Sequence, residues 1–226
     1  MKQHNSILVV VTSHADMPNK HKTGIWFEEY AIPANIFKRG GKKITVASIT
    51  GGPAPIDPRS MPANTDDKST QQALNDLKQT EVLKNVDLAN YDAVFFPGGH
   101  GTMFDLPSSS DVGNTIAEFI ETGRIVGAVC HGPAALVGAM FSDGTPVVKG
   151  RKLTSFTNDE EKAAELDSVV PFLLQSKLDE LGAEFVTSPN WSDNVVIDGK
   201  LITGQNPQSS ASTAKALMNA LENISL

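Results

Sequence analysis

The segment from residue 124 to residue 140 constrains the fold more than any other part of the chain. It reads RIVGAV, then Cys130, then HGPAALVGAM, which predicts a buried strand, a sharp turn at the cysteine and a helix. A small residue flanks the cysteine two positions away on each side, as in a nucleophile elbow, where larger side chains would collide around a strained backbone. A lone cysteine is usually a small buried hydrophobe, but this context favours a nucleophile. We expect an exposed sulfur above a helix N-terminus that stabilises the thiolate.

The composition is that of an ordinary soluble protein, and it favours small molecules as the ligands. Its 226 residues, 40% of them hydrophobic and 20% charged, suffice for one large core, so we expect a single domain over residues 1–226. One cysteine excludes an intrachain disulfide framework and favours a reducing compartment. The first apolar run, at 7–11, is too short for a signal peptide or a membrane span. A net charge of −7 without a Lys/Arg cluster disfavours a nucleic-acid or membrane surface, and we expect a cytoplasmic protein.

Strands and helices alternate along the chain, which predicts an α/β fold with a mostly parallel sheet and helices on both faces. The Gly/Pro-rich stretch at 50–62 reads as an ordered excursion, because core-like periodicity resumes after it. Function is expected at the carboxyl ends of the strands. The predicted strands are 7–11, 44–48, 93–96, 124–129, 152–156, 184–187, 195–197 and 201–203. The predicted helices are 26–38, with a kink or break at Pro33, 70–88, with a break near Thr80, and 112–121, 169–181 and 209–221.

The positions of the histidines limit which base can serve Cys130. None of the five histidines follows His131, so the downstream base of papain-like proteases and cysteine-type glutamine amidotransferases is excluded. Two candidates remain, His131 beside the cysteine and His100 in the loop PGGHG, although His131 could instead cap a helix and His100 could be an ordinary loop residue. Gly99 and the backbone N–H of His131 could form an oxyanion hole.

A second polar group lies in the loop at 12–23. It contains His14, Asp16 and His21, but these residues lack a fixed helical or strand spacing. A solvated loop is therefore the favoured interpretation, and we expect no metal site.

Four segments together resemble the ThiJ/PfpI superfamily, and within it the branch of stress-induced chaperones and glutathione-independent glyoxalases (glyoxalase III). They are KTGIWFEEYAIP (22–33), FFPGGHG (95–101), AVCHGPAAL (128–136) and DGKLITGQNPQSS (198–210). The resemblance extends over nearly the whole chain. It implies a flavodoxin-like, doubly wound fold, a homodimer, and a cofactor-free site built from a cysteine, the histidine after it and acidic residues.

On this sequence the resemblance selects Cys130 and His131. The glutamate four residues before a proline is Glu29, and Glu28 should point elsewhere because adjacent helical residues diverge by about 100°.

The resemblance also implies a further acid, five residues after a phenylalanine. This spacing selects Glu161, while Glu160 and Asp159 remain open. In relatives of this kind the segment around Trp191 and Asp193 helps to shape the site.

The activity that the resemblance implies is conversion of methylglyoxal, or a similar 2-oxoaldehyde, to a 2-hydroxy acid. Cys130 would form a hemithioacetal, and a protonated Glu29 and His131 would move protons. Two other classes stay open: a holdase chaperone that binds unfolded client proteins through an apolar patch, and an amidase, peptidase or protein deglycase that uses the same cysteine. Redox sensing by Cys130 is a further alternative.

Overall fold

The structure is a computed structural model that describes residues 5–18 and 20–223. Two parallel strands outside the main sheet pair with each other. In the main sheet every pair is parallel except the pair nearest the carboxyl terminus, which confirms the predicted α/β fold with a mostly parallel, flavodoxin-like sheet. The strands are β1 (Ser6–Val11), β2 (Lys43–Ser48), β3 (Glu81–Val82), β4 (Ala93–Phe96), β5 (Ile125–Val129), β6 (Lys152–Leu153), β7 (Glu184–Phe185), β8 (Val195–Asp198) and β9 (Leu201–Gly204). Within the described residues, the main sheet has the order β3-β2-β1-β4-β5-β9-β8.

Helices cover both faces of this sheet. They are α1 (Phe27–Arg39), α2 (Lys68–Leu77), α3 (Thr102–Asp105), α4 (Ser110–Glu121), α5 (Asn158–Ala163), α6 (Leu174–Glu180) and α7 (Ser210–Asn223). Side chains of α1, α2 and α7 pack on one face, and those of α4 and α6 pack on the other. Strand β1 contributes alternate residues to the two cores, as expected for a strand that is buried on both sides.

None of the helices in the described part of the chain is both long and apolar enough to cross a lipid bilayer.

Several predicted boundaries are wrong where tertiary pairing overrides the local pattern. The helix predicted for 70–88 ends at Leu77, close to the break predicted near Thr80, but it does not resume, because Glu81 and Val82 pair with β2 at the sheet edge. The strand predicted for 152–156 is only β6 and lies outside the main sheet, and the helix predicted for 169–181 begins at Leu174. Helix α1 continues through Pro33, so the predicted break is absent there.

The segment after Cys130 also differs from its prediction. It forms a 3₁₀ helix, Gly132–Gly138, and not an α-helix. Its first residue packs so closely on β4 that a Cβ at position 132 would lie 2.1 Å from the backbone oxygen of Phe96. This contact fixes the turn that carries the cysteine against the neighbouring strand.

We therefore expect Gly132→Ala to lower the free energy of unfolding by about 3 kcal/mol, because backbone atoms must move to admit the methyl group. Gly199→Ala is the matched control: its Cβ would meet open space, and only its φ of +59° opposes the substitution, at about 1 kcal/mol. Urea unfolding followed by tryptophan fluorescence measures both losses. Equal losses would contradict the close contact between the turn and β4.

Candidate active site

Cys130 lies at the end of β5 in a strained backbone conformation. Its φ is +58°, in the left-handed region that a residue other than glycine rarely adopts. The cysteine N–H donates to the Gly204 oxygen, and the cysteine oxygen accepts from the Phe156 N–H, both at 2.9 Å. These two bonds on either side hold the turn, and the sharp turn predicted from the sequence is confirmed.

The cysteine is buried, whereas an exposed sulfur was predicted. The cysteine is only 3% exposed. Burial, and then the neighbouring Glu29 carboxyl, raise the pKa of the Cys130 thiol well above its ordinary value. The backbone N–H of His131 donates to the sulfur, but this one bond does not offset burial, and the following 3₁₀ helix does not provide the α-helical N-terminus that was expected. Burial and the neighbouring carboxyl therefore both favour the thiol over the thiolate.

Glu29 lies in the first turn of α1 and is completely buried, whereas Glu28 is exposed. The Gly98 N–H donates to Glu29 Oε2 at 2.8 Å, and the carboxyl group contacts the Cys130 thiol. Burial raises the pKa of Glu29 to about 8. A Cβ at position 98 would lie 2.6 Å from Glu29 Oε2, so only glycine admits this approach. The site therefore places a protonated carboxyl beside the thiol at neutral pH.

His131 connects the cysteine to Glu161. Its Nδ1 lies 3.3 Å from the Cys130 sulfur, and its Nε2 lies 2.7 Å from Glu161 Oε2. Burial opposes ionisation of Glu161, but the charge of His131 and hydrogen bonds from both His100 and His131 outweigh burial and hold the Glu161 pKa well below its ordinary value. Since an ionised carboxylate only accepts hydrogen bonds, His131 Nε2 carries a proton and donates it to Glu161, which leaves Nδ1 as the ring nitrogen that faces the sulfur.

His100 shares the same carboxylate. Its Nε2 lies 2.7 Å from Glu161 Oε1, and its ring centroid lies 4.1 Å from that of His131. Burial, and then the nearby His131, lower the His100 pKa to about 4, so the ring is neutral at neutral pH. Glu161 is thus held from both sides and keeps His131 in one orientation.

Glu160 and Asp159, the alternatives for the third acid, bind other groups. Glu160 is buried but accepts hydrogen bonds from Trp191, Gln205 and Asn206. The Asp159 side chain is 79% exposed and lies 3.7 Å from the ammonium group of Lys162. The spacing that selected Glu161 therefore identified the carboxylate that contacts both histidines.

Within the described residues, one group of side chains lies close enough to hold a metal ion: His100, His131 and Glu161. Their donor atoms all lie within 4.8 Å of one another. Both Nε2 atoms already bind Glu161, so an ion would have to replace those hydrogen bonds. The loop group at 12–23 does not converge in this way: His14 stacks on Phe104, and Asp16 pairs with Lys22.

A pocket of about 430 Å³, open to solvent, leads to the cysteine. Gly99, with a φ of +103°, lies in its wall, where an oxyanion hole was predicted. Asp193, by contrast, accepts a hydrogen bond from Ser212 at 2.5 Å. The residues that line the pocket are Trp26, Glu29, Arg59, Gly99, His100, Cys130, His131, Phe156, Ala164, Trp191 and Pro207.

Sequence reasoning missed Arg59, which the 50–62 excursion brings to this pocket. The excursion is ordered, as predicted, because Ser60 Oγ accepts from the Phe27 N–H at the start of α1. The fully buried Asp57 holds the Arg59 guanidinium by two hydrogen bonds, from Nε at 2.9 Å and from Nη2 at 2.6 Å. The sequence signal that could have identified Arg59 is an acid two residues before an arginine in a Gly/Pro-rich stretch. No such signal marks the other lining residues that sequence reasoning missed, which are Trp26, Phe156, Ala164 and Pro207.

The chain is similar to known proteins over nearly its whole length. The chain is 31% identical to the glutathione-independent glyoxalase HSP31 of Saccharomyces cerevisiae, with 96% of this chain and 98% of that protein covered. The Rapid Encystment Protein 24 kDa of Francisella tularensis is 36% identical, with a TM-score of 0.90 over 96% of this chain and 98% of that one. Glyoxalase III of Candida albicans is 27% identical, with a TM-score of 0.84 over 97% of this chain and 98% of that one.

The family model itself spans the residues that build the pocket. The model of the DJ-1/PfpI family matches residues 24–220, which include both glutamates of the site, the cysteine and both histidines. The superfamily resemblance found in the sequence is thereby confirmed, and the chain belongs to the DJ-1/PfpI family.

Proposed function

We propose that this protein is a glutathione-independent glyoxalase that converts methylglyoxal or a related 2-oxoaldehyde into a 2-hydroxy acid. The observation that carries the proposal is the buried contact between the Cys130 thiol and the Glu29 carboxyl, whose pKa is raised to about 8. A protonated acid beside a nucleophile can donate to a substrate oxygen at the moment when charge develops on it. The names of the relatives in Saccharomyces cerevisiae and Candida albicans support the same activity.

In the first step the sulfur adds to the aldehyde carbon. His131 Nδ1, 3.3 Å from the sulfur, takes the thiol proton, and Glu161 stabilises the resulting imidazolium. The backbone N–H groups of Gly99 and His131 are the proposed donors to the aldehyde oxygen. Return of the proton to that oxygen gives a neutral hemithioacetal.

In the second step a proton moves from the first carbon to the second. His131 removes the C1 proton while Glu29 protonates the ketone oxygen, which gives an enediol. His131 then returns its proton to C2 while the C1 hydroxyl proton goes back to Glu29, which gives a neutral thioester and restores both groups. Water cleaves the thioester C–S bond, releases the 2-hydroxy acid and restores the thiol. C1 loses the electron pair that C2 gains, so the reaction needs no external oxidant or reductant. In sum, one 2-oxoaldehyde and one water give one 2-hydroxy acid.

The domain organisation, cellular location and oligomeric state are part of the same proposal. A single domain, a cytoplasmic location and a homodimer are what the chain length, the single cysteine and the family resemblance favour. The substrate is a small molecule that enters through the pocket described above.

Cys130→Ala should abolish methylglyoxal consumption in the absence of glutathione, because no sulfur remains to form the hemithioacetal. The assay measures loss of methylglyoxal and identifies lactate as the product, and thermal melting controls for folding. Full activity of a folded Cys130→Ala variant would refute the scheme. Suppression of client aggregation that is equal in the two proteins, without turnover in either, would favour the chaperone class instead.

The rate should fall as pH rises through about 8, because the protonated form of Glu29 is the active acid and its pKa lies near that value. Glu29→Gln should lower kcat by about 10²-fold to 10⁴-fold and remove this alkaline limb. The exposed neighbour gives the matched control, since Glu28→Gln should keep both kcat and the limb. The measurement is kcat against pH from 6 to 9.5. An alkaline limb that persists in Glu29→Gln would contradict the assignment.

Glu161→Gln should lower kcat by about 10³-fold to 10⁴-fold, because the amide no longer fixes the proton on His131 Nε2 or stabilises the imidazolium. Asp159→Asn makes the same charge change on the exposed residue of α5 and should leave kcat within about twofold of the original. Steady-state kinetics with methylglyoxal compares the three proteins. Equal kcat in Glu161→Gln and the parent protein would show that this carboxylate does not serve the histidine.

A further inference from the structure

The pocket lining includes aromatic residues that the proposed mechanism does not use. Trp26, Phe156 and Trp191 line the pocket together with the cysteine and its proposed proton-transfer partners. The space of about 430 Å³ includes part of the solvent at the pocket opening. Trp191 lines the pocket and is 42% exposed, so it offers a surface to a substrate substituent larger than methyl.

Two of these rings, those of Phe156 and Trp191, form a series that starts at His131. The His131 and Phe156 centroids are 4.4 Å apart, and the Phe156 and Trp191 centroids are 5.5 Å apart at an angle of 60°. Trp191 remains 42% exposed, so one part of its indole packs on Phe156 and the rest faces the open pocket. Aromatic surfaces of this kind bind flat apolar groups.

Trp191 is held in this position at a conformational cost. Its φ is +64°, in the left-handed region where a bulky side chain is a genuine outlier. The Trp191 N–H donates to Glu160 Oε1 at 2.9 Å. A strained residue at the mouth of a pocket persists only when its surroundings determine its backbone, and here that determinant is a buried carboxylate.

Glu160 binds several other groups besides the Trp191 N–H. It is completely buried, and its Oε1 also accepts from Gln205 Nε2 at 3.1 Å and from Asn206 Nδ2 at 2.8 Å. Its Oε2 accepts from the Thr157 backbone N–H and hydroxyl, at 3.0 and 3.2 Å. The carboxylate therefore joins α5, the end of β9 and the Trp191 segment at one point.

We propose that Trp191 is the specificity-determining wall of the site, positioned by Glu160, and that the pocket takes 2-oxoaldehydes whose ketone carries a flat aromatic or extended apolar group. This inference rests on the proposed glyoxalase function and deepens it. Cys130 would attack the aldehyde carbon, and the substituent on the ketone would lie against the indole. Glu160 acts through Trp191 and does not touch the substrate.

The first test compares phenylglyoxal with methylglyoxal. Trp191→Ala should lower kcat/KM for phenylglyoxal about tenfold, mainly through KM, and lower that for methylglyoxal less than about threefold, since methylglyoxal does not reach the ring. Trp191→Phe should restore most of the loss. Ile197→Ala, which truncates an apolar side chain that is 59% exposed and lies outside the pocket, is the matched control and should change neither value.

Glu160→Ala tests the positioning role, and it should reproduce the substrate-selective loss of Trp191→Ala. A spectroscopic measurement accompanies it, because the chain has two tryptophans and Trp26→Phe leaves Trp191 as the sole emitter. In that background mandelate should quench the Trp191 emission and lactate should not, and Glu160→Ala should remove the mandelate effect. Trp191→Ala alone carries the kinetic test if Glu160→Ala does not fold.

The outcomes separate the inference from the function on which it rests. Methylglyoxal turnover with equal losses for both substrates in Trp191→Ala, or with no loss for either, would overturn the inference and leave the glyoxalase activity standing. Absence of turnover for both substrates in the parent protein would overturn the proposed function. In that case the mandelate measurement decides the inference: quenching supports the aromatic wall, and equal responses to mandelate and lactate refute it.

Discussion

The site depends on a buried contact between two acids, the Glu29 carboxyl and the Cys130 thiol. Burial raises the pKa of both groups, that of Glu29 to about 8, and the neighbouring carboxyl raises that of the thiol further. Burial thus favours the uncharged form of each group. In the proposed mechanism the thiol gives its proton to His131, whose other ring nitrogen binds Glu161.

The fold brings these groups together because parallel neighbours β4 and β5 end at one edge of the sheet. The loop after β4 provides Gly98, whose N–H binds the Glu29 carboxyl and whose missing side chain leaves room for it. The turn after β5 provides the cysteine, fixed by backbone bonds to Gly204 and Phe156. Helix α1 supplies the acid from its first turn. Small backbone shifts in any of these segments would separate the thiol from its proton-transfer partners.

Local patterns predicted much of this arrangement, and the remainder depends on contacts between distant segments. The strained turn at Cys130 follows from small flanking residues, whereas Glu29 was selected by the family resemblance, through its spacing to Pro33. The protonated state of the thiol could not be predicted, because burial is set by the whole assembly and because Gly132–Gly138 forms a 3₁₀ helix. The role of Glu160 was equally hidden, since its partners Trp191, Gln205 and Asn206 lie 31 to 46 residues away along the chain.

The most direct test of the central claim is a titration of the Glu29 carboxyl itself. The ¹³C chemical shift of its side-chain carboxyl carbon, assigned by comparison with Glu29→Gln, reports protonation without reference to any substrate. The structure predicts a midpoint near pH 8, because burial favours the neutral acid and outweighs the hydrogen bonds from Cys130 and Gly98, which favour the carboxylate. A midpoint near the ordinary value of 4.5 would show that the carboxylate is solvated and apart from the sulfur, and would contradict the account.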